Sequence, residues 1–158
     1  MGDLDMAVTQ GSARYPVQHI VVHCSDTRPD WMEGKRSSEK VAEIRRWHIK
    51  DRGWKDIGYH YVIDRDGTTI QGRLESVIGA GVVGFNRGVI HICLIGGNGG
   101  NEKDRFFERF TPAQDLALRR RINDIKKRAS IKTITGHNEH AAKACPCFSV
   151  PEYLRGLK

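Results

Sequence analysis

The sequence predicts an α/β fold: a single domain with a central mixed β-sheet flanked by helices. Three observations carry this. Apolar, strand-like runs recur at residues 17–23, 59–64, 89–95 and 131–135. Segments of helical spacing separate them, so the elements run β-α-β-β-β-α-β. The chain has 158 residues, the size of one domain with a real core, and no repeat or linker divides it. The expected domain is 16–158, preceded by a polar, flexible arm at 1–15.

Taken in order, VQHIVVH (17–23) is β-branched and reads as a buried strand. Residues 26–35 hold Pro29 and Gly34 and read as a loop. Ser38 is a candidate N-cap for a helix over 39–50, in which Val41, Ile44, Trp47 and His48 recur at helical spacing until Gly53. YHYVID (59–64) and the run 68–71 flank Asp66-Gly67, a hairpin signal. The glycine-rich stretch 74–86 reads as a loop. VIHICLI (89–95) is apolar nearly throughout, as a central strand should be. After a polar loop at 96–105, Thr111-Pro112-Ala113-Gln114 starts a helix, with Thr111 as cap, Pro112 in the first turn and Gln114 completing a capping box. Leu118, Ile122, Ile125 and Ala129 form its apolar stripe. Residues 131–135 read as a short strand, and 151–157 as a terminal helix.

A net charge of +7 favours an anionic partner: nucleic acid, a membrane surface or a cell-wall polymer. Charge alone does not choose among them. The clusters Arg119-Arg120-Arg121 and Lys126-Lys127-Arg128 fall on one predicted helix and read as its solvated face. No apolar run approaches the ~20 residues that cross a bilayer, so no membrane insertion is expected. The N-terminus lacks the basic start and apolar core of a signal peptide, so cytoplasmic synthesis is expected. Cys24, Cys93, Cys145 and Cys147 are then expected as free or metal-bound thiols, and no pair of CxxC motifs suggests a zinc finger.

The segment GHNEHAAKACP (136–146) sets an imidazole, an ammonium and a thiol within a few residues of one another. Histidine and cysteine are ligands that zinc prefers, and a hydrolytic zinc site uses three protein ligands and keeps one position open. His23 and His137 each follow a strand-like run, and the loop after His137 can return Cys145 to the same end of the sheet. His23, His137 and Cys145 are therefore the candidate ligands, with Zn2+ as the expected cofactor. A second thiolate from Cys147 would tend to close the site. Cys24 and Cys93 read as core residues.

Several separated motifs, in order, resemble one family. His23-Cys24-Ser25-Asp26-Thr27, Gly58-Tyr59-His60-Tyr61, Cys93-Leu94-Ile95-Gly96-Gly97 and His137 with Cys145-Pro146 are similar to the zinc-dependent N-acetylmuramoyl-L-alanine amidases, above all the small lysozyme-named enzymes of bacteriophages. Animal peptidoglycan recognition proteins are more distant relatives. Ile44-Arg45-Arg46-Trp47-His48, Arg65-Asp66-Gly67-Thr68 and Phe110 to Gln114 also match, so the resemblance covers about Val17 to Phe148.

The resemblance implies an amidase fold and hydrolysis of the amide between the lactyl group of N-acetylmuramic acid and L-alanine of the stem peptide. It implies His23, His137 and Cys145 as zinc ligands, with Tyr59 and Lys143 as active-site residues. Peptidoglycan or muropeptides are the expected partners. The enzyme would be an endolysin acting on the wall after release, or on wall fragments in the cytosol, and is expected to be a monomer. A binding module without hydrolysis is the alternative. Some related phage amidases also bind an RNA polymerase, a contact the N-terminal arm could serve. His48 and His60 read as supporting residues rather than ligands, His140 as a loop residue, and Glu139 as a weak candidate base. His60 and His91 are candidates for substrate contact. Two positions depart from the family. Gly81 stands where a histidine is common, and His91 where a small residue is usual, so His91 is expected to fill part of the space at Gly81.

Overall fold

The computed structural model describes residues 8–158. Among these residues the principal sheet has five strands in the order β5-β4-β6-β3-β7. They are β3 (His19–Cys24), β4 (Tyr61–Ile63), β5 (Thr69–Gln71), β6 (Val89–Leu94) and β7 (Thr133–Gly136). β6 pairs in parallel with both β3 and β4, and β3 in parallel with β7, whereas β4 and β5 form an antiparallel hairpin. The sheet is thus mixed, with helices on its faces, as expected. β6 lies in the middle, which explains its nearly unbroken apolar run: every one of its residues is buried. The hairpin turn closes where Gly67 adopts φ +88, a conformation glycine enters without strain.

Side-chain alternation divides the strands between two cores. Ile20, Val22, Ile90, Ile92, Leu94, Tyr61 and Ile63 pack with Leu118, Ile122, Ile125 and Ala129. Leu118, Ile122 and Ile125 belong to α3 (Pro112–Arg128), which Ala129 caps and which follows the short α2 (Phe106–Arg109). Phe106, Phe110, Phe148 and Tyr153 join the same core, the last from α4 (Val150–Leu154). On the opposite face, Val62, Cys93 and Ile95 pack with Val41 and Ile44 of α1 (Ser37–Arg46). Cys24 and Cys93 are buried as expected, at 6% and 0% exposure.

The caps agree only in part with the sequence reading. At α3 the Thr111 hydroxyl accepts from the Gln114 N–H, and the Gln114 side chain accepts from the Thr111 N–H, both at 3.1 Å. At α1 the helix begins before Ser38. Glu39 accepts from the Arg36 N–H, and Ser37 donates to Asp64 at 2.7 Å. Helical structure beyond Arg46 continues as a π-turn over Trp47–Asp51. Half of the clustered basic residues of α3 are answered by neighbouring acids: Arg119 pairs with Asp115, Arg121 with Asp124, and Arg128 with Glu75 and Asp124.

The arm expected at 1–15 is corrected for its described part. β1 (Thr9–Gln10) and β2 (Tyr15–Pro16) form an antiparallel pair. Gln10 is fully buried because its amide answers backbone groups at the start of β6: it donates to the Val89 carbonyl and accepts from the Gly88 N–H. A polar side chain spent on main-chain groups leaves no apolar periodicity to read. Residues 1–7 lie outside the described residues.

Candidate metal centre

β3 and β7 run in parallel side by side, so their C-terminal ends open at the same edge of the sheet. Open α/β sheets commonly bind ligands at that edge. His23 is the penultimate residue of β3, and His137 directly follows β7 in a 3₁₀ turn over His137–Glu139. Their rings meet edge to face, with centroids 4.9 Å apart. The loop then folds back. Asn138 donates through its amide to the Ala144 and Phe148 carbonyls at 3.3 and 3.1 Å, bracketing Cys145. Gly136 permits this close approach, since a Cβ there would lie 2.9 Å from Pro146 Cδ. The Cys24 backbone N–H donates to Cys145 Sγ at 3.2 Å, tying the thiol to the end of β3.

One ligand atom each from His23, His137 and Cys145 lies within 4.8 Å of the others. His23 Nδ1 stands 4.0 Å from Cys145 Sγ. Bonds of about 2.0–2.1 Å to nitrogen and about 2.3 Å to sulfur at tetrahedral angles need about 3.6 Å between such atoms. The His23–Cys145 pair thus fits a shared metal ion with an adjustment of a few tenths of an ångström, and all three donor atoms lie close enough to converge on one ion. Electrostatics agree: burial, then His91 and His137, hold His23 well below the ordinary imidazole range. Burial, then Lys143 and Arg52, lower His137. Both rings are therefore neutral at pH 7, the form that binds a metal.

The group lies at a cleft of about 690 Å³ lined by His137, Cys145, Tyr59, Lys143, Trp47 and Arg52 among others. The Tyr59 ring packs against His23, with centroids 5.0 Å apart. Burial raises its hydroxyl pKa well above the usual value, so the group keeps its proton. Lys143 is exposed at the rim.

His48 supports the wall: its Nδ1 accepts from the Gly58 N–H, and its ring packs edge-on against Tyr59. His60 and His91, expected to touch substrate, do not reach the cleft; both are 0% exposed. Both project from the sheet face that carries His23 and sit behind that residue. His140 bonds Thr135 and stacks on Phe85, and Glu139 accepts from the Gly136 N–H, so both are engaged in holding the loop. Cys147 is buried with its Sγ 3.8 Å from that of Cys24; that hydrogen bond, then burial, keeps it a thiol. As expected, His91 fills the space at Gly81: a Cβ on that glycine would lie 2.7 Å from His91 Cγ and Cε1. Sequence reasoning missed Trp47 and Arg52 as cleft residues. They sit on or beside the π-turn, which brings them to the cleft, and only the matched Arg46-Trp47-His48 run pointed there.

The family described as N-acetylmuramoyl-L-alanine amidase matches residues 13–148. The endolysin of Escherichia phage T7 is 39% identical over 148 residues, 94% of this chain and 92% of that protein. The endolysin of Klebsiella phage KP32 is 38% identical over the same shares. Among solved structures, the N-acetylmuramoyl-L-alanine amidase LysC of Clostridium intestinale superposes with a TM-score of 0.68 at 25% identity, covering 97% of this chain and 93% of that one. Bumblebee PGRP-SA shares the fold with a TM-score of 0.72 at 21% identity, over 95% and 85% of the two chains. With a family match over most of its length and relatives of nearly its own extent, this chain belongs to the N-acetylmuramoyl-L-alanine amidase family and is an amidase.

Proposed function

We propose that this chain is a zinc-dependent endolysin that hydrolyses the amide between the lactyl group of N-acetylmuramic acid and the L-alanine of the peptidoglycan stem. The observation that carries the reading is the meeting of His23, His137 and Cys145 at a cleft that Tyr59 and Lys143 also line. The phage relatives' extent and identity support the lytic role.

His23, His137 and Cys145 would hold the ion. Two neutral imidazoles and one thiolate would leave a bound zinc ion with net positive charge. Bound there, zinc supplies Lewis acidity, polarising the scissile carbonyl and making water nucleophilic near neutral pH. Tyr59 keeps its proton and donates a hydrogen bond to the carbonyl oxygen or the attacking water. Lys143 stabilises the charge that develops on the carbonyl oxygen. Arg52 and Lys143 give the cleft cations suited to the carboxylates of a stem peptide.

The test is to incubate the protein with peptidoglycan, with and without chelator, and to label newly freed L-alanine amino groups. Release that stops on chelation and returns with zinc supports the proposal. Retention on the wall without release would overturn it in favour of a binding module.

A further inference from the structure

Behind the candidate metal centre runs a directional chain of hydrogen bonds. His23 Nε2 lies 2.8 Å from His91 Nδ1. His91 Nε2 lies 2.9 Å from Asn86 Oδ1. That same oxygen accepts the backbone N–H groups of Gly81 and Val82 at 2.9 and 3.0 Å.

The direction follows from the acceptor at the far end. An amide oxygen that accepts two main-chain N–H groups has no proton to give, so His91 Nε2 must be the donor. A neutral imidazole carries one ring proton, which leaves Nδ1 of His91 as an acceptor. His23 Nε2 must then donate to it. The lone pair of His23 is left on Nδ1, the atom facing Cys145 Sγ at 4.0 Å. His91 is fully buried and its ring stacks on that of His60 at 5.9 Å. Among the described residues the ring's hydrogen-bond partners are the His23 imidazole and the Asn86 amide oxygen, with no carboxylate to stabilise a buried imidazolium.

We propose that His91, itself held by Asn86, is the positioning residue that fixes His23 in the Nε2–H tautomer with its Nδ1 lone pair aimed at the space shared with His137 and Cys145. The proposal rests on the metal-centre reading above only for the use of that lone pair; the tautomer stands independently of it. Ring orientation follows too, since His23 turned over would face His91 with the carbon Cε1 in place of Nε2. Such outer partners typically account for about 10- to 100-fold in metal affinity.

The pocket that holds His91 exists because two neighbours are glycines. A Cβ on Gly79 would lie 2.8 Å from His91 Cδ2, and one on Gly81 would lie 2.7 Å from Cγ and Cε1. Position 81 therefore borders the same volume that the His91 ring fills. A side chain at 81 and the His91 ring exclude one another.

The test uses the full chain. Long-range proton–nitrogen correlation spectra of the metal-free protein, labelled with nitrogen-15, read the two ring nitrogens of His23 and His91. We expect both to carry the proton on Nε2. Zinc affinity is then measured by competition with a chromogenic chelator. His91→Gly should weaken binding by about 10- to 100-fold, and Asn86→Ala should weaken it in the same direction. The double variant Gly81→His with His91→Gly should recover most of the loss, whereas Gly81→Leu with His91→Gly, which fills the space without a ring nitrogen, should not; equal recovery by both would mean that His91 only fills space and would overturn the proposal. Circular dichroism selects the folded variants; if His91→Gly does not fold, Asn86→Ala and the spectra of the unaltered chain decide. A wild-type His23 protonated on Nδ1 would overturn the proposal, as would unchanged zinc affinity in folded His91→Gly or Asn86→Ala. A chain with the expected tautomers that binds no zinc would sink the metal-centre reading and leave the positioning intact.

Discussion

His23 Nδ1 and Cys145 Sγ lie 4.0 Å apart although 122 residues separate them in the chain. The contact joins the end of β3 to a loop that returns after β7, and the Cys24 N–H fixes the sulfur from the strand side. Replacing Cys145 by serine keeps that hydrogen bond's geometry but removes the soft ligand. Loss of a ligand should exceed the loss of an outer partner, so activity should fall by more than about 100-fold. Metal content by elemental analysis and L-alanine release from peptidoglycan check this together. A fully active, metal-replete Cys145→Ser would sink the ligand assignment.

Tyr59 and Lys143 touch the cleft without being candidate ligands. Tyr59→Phe and Lys143→Met should each lower kcat by about 100- to 1,000-fold, the range for removing one donor to a developing oxyanion. Zinc stoichiometry should not change. A loss confined to KM would show that they serve substrate binding alone.

Lys40 and Asp64 form a buried ion pair at 2.9 Å, with side chains 8% and 6% exposed. Ser37 and the Arg65 N–H complete the carboxylate's partners. Asp64→Ala leaves the ammonium buried and unpaired, so it should cost about 3–5 kcal/mol. Urea unfolding measures this. Replacing both partners, as Lys40→Met with Asp64→Leu, should cost clearly less, and equal losses would mean that the ion pair is not the cause.

Burial brings His60 to a pKa of about 4, and burial with Arg52 and Arg73 nearby does the same for His48. Both lie below the unfolded value of about 6.5. Between these limits the unfolded chain binds more protons than the folded one. The stability these residues contribute is therefore complete above about pH 6.5 and is lost as pH falls toward about 4, at up to about 1.4 kcal/mol per pH unit for each histidine. Unfolding midpoints of chelator-treated protein at pH 7, 6 and 5 should fall in that order. A flat series would show that neither histidine is held neutral.

Much of the fold was legible because local pattern and sheet position agree. The run VIHICLI is apolar on both faces because β6 is the middle strand, covered on both sides. Thr111-Pro112-Ala113-Gln114 starts α3 through a cap made within four residues, so no distant contact is needed to recognise it. The hairpin at 9–16 escaped because Gln10 is buried by hydrogen bonds to main-chain groups 78 and 79 residues away. The π-turn escaped because its residues continue the helical spacing of α1.

The sequence by itself determined the strand runs, a mixed sheet with residues 89–95 at its centre and the residue types that can bind a metal. His23, His137 and Cys145 were readable because each stands at or beyond the end of a recognisable strand, where chain direction alone predicts a shared edge. Only the tertiary structure decided which histidines face the cleft and which lie behind it. Alternation along β6 states that His91 and Cys93 share a face, but not that this face buries His91 against His23, nor that Gly79 and Gly81 clear the room for it. Those facts depend on strand register and on the path of the loop between β5 and β6. Both are set by packing between segments far apart in sequence, where local periodicity carries no information.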